Sequence, residues 1–147
     1  MSGNDEEAKT FTVNIEQLEN YKFEVSFDEG MGRLITDETE EVGGGEEGPN
    51  PSRLLGASVL NCLMASLKFC LDKKRVEVAS LKGEVTGKVE RIEKRLRITG
   101  LSVEIKPELE DGSDRKRLES CKDIFEDYCV VTQSVRKGVD VDVSVEV

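Results

Sequence analysis

The chain has 147 residues, 31 acidic against 21 basic side chains for a formal charge of −10, four cysteines, and neither histidine nor tryptophan. That length suits one domain with a core of its own. Residues 1–50 hold 14 acidic and 3 basic side chains and the remainder 17 and 18, so the basic stripe that phosphate neutralisation needs is missing, which excludes nucleic-acid binding.

Residues 1–9 read as a disordered acidic tail ahead of a single domain over 10–147. The start, Met1–Glu7, is polar and acidic and lacks the basic and apolar stretches of a secretory signal, which predicts a cytoplasmic protein. Phe11, Val13 and Ile15 alternate with polar residues, as do Tyr21, Phe23, Val25 and Phe27, the pattern of half-buried strands. Residues 33–37 supply a third short strand. Glu40–Gly48 reads as a flexible, glycine-rich acidic loop.

A helix starts sharply at Asn50-Pro51, a good N-cap followed by proline at the first helical position, and runs to about Asp72. Leu54, Leu55, Val59, Leu60, Leu63, Met64, Leu67, Phe69 and Leu71 make it apolar nearly all round, so it must be buried on most sides. A second subunit is the economical cover. The apolar run 54–71 is short for a bilayer and interrupted by Asn61, Ser66 and Lys68, so no membrane span is expected.

A hairpin follows, with Leu81, Gly83, Val85, Gly87 and Val89 alternating on one strand. Leu96, Ile98, Leu101, Val103 and Ile105 lie on the next, with a change of phase at Gly100 that predicts a bulge. Gly83 and Gly87 face inward, where a helix backbone can approach. Ser113 caps a second helix over 114–129, and Val139 to Val147 alternate with Asp140, Asp142, Ser144 and Glu146 as a last strand. The order is βββ-α-ββ-α-β, an α+β fold with a buried central helix.

Thiols carry the redox chemistry available here: a low-pKa thiolate and a second thiol suffice for a peroxidase or disulfide cycle. Free cysteine also packs as a small hydrophobe, the role expected for Cys70 and Cys121. The C-x7-C spacings fit no common zinc signature, so neither metal nor cofactor is expected. Cys62 lies too deep in its helix for the N-terminus to lower its pKa, and a cation from another segment would have to do so. The residues alone leave its reactivity, and that of Cys129, open.

The stretch EEGPNPSRLLGASVLNCLMASL, with EDYCVVTQSVRKGVDVDVSVEV some sixty residues later, resembles the OsmC/Ohr family over essentially the whole chain. Asn50-Pro51 leads into the cysteine-bearing helix, Cys129 ends the last helix, and Arg136-Lys137-Gly138 turns into the valine-rich strand. The resemblance implies an intertwined homodimer with Cys62 and Cys129 close together at the interface. Cys62 is then the peroxidatic residue, Cys129 the resolving one, and a cellular dithiol reduces the disulfide they form; Cys70 and Cys121 stay out of the cycle. Two family positions differ. Ser52, followed by Arg53, stands where the family places a glutamate that pairs with an arginine of the N-terminal strands, here at best Arg33. Val130 replaces the proline after the second cysteine. Together these features predict a thiol-dependent peroxidase acting on organic or inorganic hydroperoxides. The alternatives are a small-molecule or acyl-chain binding protein of the same fold, and a thiol-based redox sensor.

Overall fold

The structure, a computed structural model, describes residues 8–147, so most of the expected acidic tail lies outside the described residues. The chain is α+β and forms two compact units, one ending at Pro51 and one spanning Ser52–Val147.

The first unit is an antiparallel sheet of β1 (Asn14–Glu19), β2 (Lys22–Ser26) and β3 (Arg33–Thr36), in that order. Strand β1 begins later than its alternation predicts. Asn14 is already opposite Ser26, the last residue of β2, so Phe11 and Val13 have no partner strand and Phe11 is 83% exposed. The Arg33 guanidinium bonds Glu24 across the sheet at 2.6 Å.

The glycine-rich segment is a wound turn rather than the flexible loop expected. Its organiser is Asp37, a buried carboxylate that accepts the backbone N–H groups of Glu38, Gly45 and Glu47 at 2.8, 3.2 and 3.1 Å. Burial pushes its pKa up, but those three N–H groups and Lys22 outweigh it and hold the carboxyl below its ordinary range. A Cβ at Gly44 would run into the Glu38 carbonyl, so the tight winding requires glycine there.

In the second unit, α1 (Pro51–Lys73) starts at the predicted proline. Gly56, Val59, Leu63, Leu67, Cys70 and Leu71 form its buried stripe, at the three-and-four spacing of one helix face. One chain does not complete the all-round burial expected: Leu60 and Met64 are half-buried and Phe69 is 60% exposed. By length and composition, with mean hydropathy 1.7, this helix could cross a membrane.

Strands β4 (Val78–Ile92) and β5 (Arg95–Leu109) form the long hairpin, turning at Glu93-Lys94, both at positive φ. The bulge falls where the phase change placed it: Lys88 is opposite Gly100 and Val89 opposite Ile98, leaving Thr99 without a partner. Gly83 admits α1, since a Cβ there would lie 2.8 Å from Met64 Sδ and 2.9 Å from Leu60 Cδ1. At Gly87 the near neighbour is Leu101 of β5, not the helix.

The helix expected over 114–129 is divided. Asp114, not Ser113, caps α2 (Arg115–Ile124), accepting from the backbone N–H groups of Lys116 and Arg117 at 2.8 and 3.3 Å. Ser113 instead donates its hydroxyl to the Glu77 carbonyl at 3.0 Å. Ile124 leaves helical geometry at φ −125°, a 3₁₀ turn covers Phe125–Tyr128, and α3 spans Val130–Lys137. Residues 138–147 form no strand, although their alternation predicts one. A strand must place its backbone groups on a neighbour, and none is paired with this segment; Val139, Val141, Val143 and Val145 are 67–83% exposed.

Candidate redox site

The four cysteines form two pairs, both joining α1 to the arm made of α2 and the 3₁₀ turn. Cys70 and Cys121 are joined in a disulfide with Cα atoms 5.8 Å apart. This corrects the expectation of two separate packing thiols. The stripes of α1 and α2 meet face to face among Leu67, Leu71, Val76 and Leu118, which brings the two sulfurs together in an apolar cluster. Their burial is as expected, at 9% and 0% exposure, but their covalent state is not.

Cys62 and Cys129 are free thiols linked by a hydrogen bond. Cys62 is half-buried on α1, packed against the cluster of Val59, Leu63 and the fully buried Cys129. Cys129 closes the 3₁₀ turn, its N–H donating to the Glu126 carbonyl, and does not end an α-helix. It is the N-cap of α3, and its sulfur accepts the Thr132 backbone N–H at 3.4 Å, the bond from an N-cap side chain to the third helical residue. The buried Thr132 hydroxyl lies 2.9 Å from the same sulfur, where it accepts from the thiol or donates to the thiolate. Two further bonds dock α3 on the 3₁₀ turn, from Arg136 to the Glu126 carboxylate at 2.7 Å and from Gln133 to the Glu126 carbonyl at 3.1 Å.

These surroundings split the two thiols. Burial raises the Cys62 pKa, as do its hydrogen bond to Cys129 and the charge there, against the backbone N–H groups of Val131 and Val130. Burial also acts to raise Cys129. There it is outweighed by the Thr132 hydroxyl, the Cys62 thiol, and the N–H groups of Thr132 and Val131, so the net shift is downward. Within one chain, the first negative charge therefore settles on Cys129, with the Cys62 thiol donating to it. The pair titrates as a unit and shares one proton over the interval between its two steps.

Beside the pair, α1, β5, α2 and α3 enclose a groove of about 750 Å³. Val59, Leu63, Leu101 and Phe125 give it an apolar wall, Thr132 brings it up to the pair, and Arg136 and Lys122 stand among its polar residues. Neither sulfur of the pair is among its lining residues. Among the described residues, no cluster of three or more Cys, Asp or Glu is placed to hold a metal ion.

A family model described as OsmC-like protein matches residues 43–144, from the wound turn through α3 and including both free cysteines. The chain belongs to the OsmC-like family. Its fold is similar to that of an OsmC-like protein of unknown function from Vibrio cholerae, with a TM-score of 0.76 and 14% identity over 86% of this chain and 94% of that one. An organic hydroperoxide resistance protein OsmC from Legionella pneumophila gives a TM-score of 0.68 at 17% identity, covering 97% of this chain and all of that one. The organic hydroperoxide resistance protein OhrB of Bacillus subtilis gives 0.62 at 17%, covering 90% and 94%. No curated protein matches the sequence. Thr132 is the site residue that the sequence reading overlooked; a capping cysteine with threonine three residues on was its signal, hidden by the β-branched run Val130-Val131-Thr132.

Proposed function

We propose that this OsmC-like chain is a thiol-dependent hydroperoxide reductase, working as a cytoplasmic homodimer through Cys62 and Cys129. The observation that carries this reading is the hydrogen-bonded pair of free thiols on α1 and at the cap of α3, with the other two cysteines already joined. As Cys62 attacks the peroxide, Cys129 accepts its proton. The O–O bond breaks, the outer oxygen leaves as alkoxide, and Cys62 keeps the inner oxygen as a sulfenic acid. The Cys129 thiol returns its proton to the alkoxide, giving the alcohol. Its thiolate then displaces hydroxide from Cys62 and closes the disulfide. A cellular dithiol restores both thiols by exchange. The apolar groove supports organic hydroperoxides as the substrate class. Homodimerisation is supported by the apolar surface one chain leaves bare, with Phe69, Tyr128 and Val130 exposed at 60, 68 and 75%.

Peroxide consumption with dithiothreitol, lipoylated protein or thioredoxin tests the reading. Cys62→Ser should abolish turnover, whereas Cys129→Ser should reduce one equivalent and leave a trappable sulfenic acid on Cys62. Turnover retained in Cys62→Ser, with sulfenate on Cys129, would reverse the two roles. In sedimentation the protein should be dimeric, with an unfolding midpoint that rises with concentration; a stable monomer would remove the dimer. The groove, whose lining omits both sulfurs, also favours a second reading as a carrier of a small apolar molecule. A ligand found by native mass spectrometry, in a protein without peroxide turnover, would select that reading.

A further inference from the structure

The two cysteine pairs are rungs between the same two rails. On α1, Cys62 precedes Cys70 by eight residues, about 12 Å of helical rise. On the other rail, Cys121 precedes Cys129 by eight residues, four α-helical at the end of α2 and four in the 3₁₀ turn, roughly 12–16 Å. The rails run in opposite directions and their spans match, so the position of one rung sets that of the other. One rung is closed and buried in the apolar cluster with Leu71 and Leu118; the other is open, with Cys62 half-buried. Polar contacts reinforce the closed end: Arg117 bonds the Lys74 carbonyl at 3.1 Å, and Lys74 bonds the Ser120 hydroxyl.

We propose that the Cys70–Cys121 disulfide is a permanent clasp that holds the α2 arm in register against α1 and so presents Cys129 to Cys62, staying closed while the outer pair opens and closes. Exchange between the rungs is blocked by the spacing along each rail, since a thiolate must reach the disulfide sulfur it attacks. The apolar packing around Cys70 and Cys121 keeps an external dithiol away from the same bond. Cys70 and Cys121 are thus positioning residues, outside the path of the electrons. Their role in the cycle rests on the proposed function, but the geometric claim can be read without any peroxide.

Two measurements decide it. In the first, native protein is pulsed with dithiothreitol, which donates two electrons and two protons to each disulfide it opens; it is then alkylated and mapped by mass spectrometry. Cys62, the half-buried thiol, should be labelled within the pulse, and Cys70 and Cys121 only after denaturant is added. Labelling of Cys70 and Cys121 in native protein as fast as that of Cys62 would overturn the claim of permanence. In the second, diamide, an azo oxidant that closes neighbouring thiols, is used to time formation of the Cys62–Cys129 bond in Cys70→Ala/Cys121→Ala. The rate should fall at least about tenfold, since small misplacements of reacting groups cost rate steeply. If that variant does not fold, wild-type protein reduced under denaturant and refolded with the clasp open serves in its place. Closure at the unmodified rate in a folded, clasp-free protein would overturn the positioning role. Peroxide turnover measured alongside tests the proposed function separately, because diamide closure does not depend on it.

Discussion

The surroundings of the two rungs differ in one respect that separates their chemistry. The Cys70–Cys121 rung is closed and sits among Leu67, Leu71, Val76 and Leu118. The Cys62–Cys129 rung has apolar neighbours too, but it also has the N-terminus of α3, with the Thr132 hydroxyl and N–H directed at one sulfur. A thiolate is stabilised at the second rung, whereas the sulfurs of the first are held in a disulfide. Burial alone makes a cysteine structural; burial with donors makes it reactive.

The largest expected effect concerns stability at the closed rung. The bond joins residues 51 apart in sequence, and removing a link across such a loop should cost about 4 kcal/mol by restoring freedom to the unfolded chain. Denaturant titration of Cys70→Ala/Cys121→Ala against wild type measures it. A loss below about 1 kcal/mol would mean that the packing cluster, rather than the bond, holds the two arms.

A smaller effect should follow from crowding α1 near the open rung. Gly83→Ala places a methyl against Met64 Sδ and Leu60 Cδ1, on the helical turns that bear Cys62. Overpacking of this kind costs about 1–3 kcal/mol. It should slow diamide closure of the outer pair while leaving Cys70–Cys121 intact. Retained rates would show that the open rung tolerates displacement and would weaken the contrast.

The finest probe changes the donor set alone. Cys129 should alkylate at lower pH than a free thiol, because its folded pKa is lowered. Its contribution to stability is present above the unfolded thiol pKa and is lost as pH falls through the folded one. Thr132→Val removes the hydroxyl and keeps the N–H, so the rise of Cys129 alkylation should move to higher pH, and Thr132→Ser should move it back. No movement with valine would leave the Thr132 and Val131 N–H groups and Cys62 as the source of the shift.

Much of this architecture was readable from the chain, and what escaped did so for definable reasons. Helix α1 announced itself through Asn50-Pro51 and a long apolar run, and the bulge through the change of phase at Gly100. Cys62 and Cys129 were singled out by family resemblance, and the structure brings them together in one chain. Helix α3 was hidden because Val130, Val131 and Thr132 favour extended backbone; its formation depends on the Cys129 cap and the Glu126 contacts, which connect groups in three dimensions. The Cys70–Cys121 bond was equally hidden, since a cysteine on an apolar stripe reads as packing until the opposing stripe is known. The glycine-rich segment looked flexible because the organiser of its turn, Asp37, lies outside it.

The valine-rich tail carries a hazard. Residues 139–147 expose an alternation of valine and polar residues outside any sheet, the kind of segment that seeds cross-β stacking when many copies meet. Three of the four intervening residues resist that outcome: Asp140, Asp142 and Glu146 would align like charges at the short repeat of an in-register stack. The acidic positions act as gatekeepers. They make piling of identical tails unfavourable.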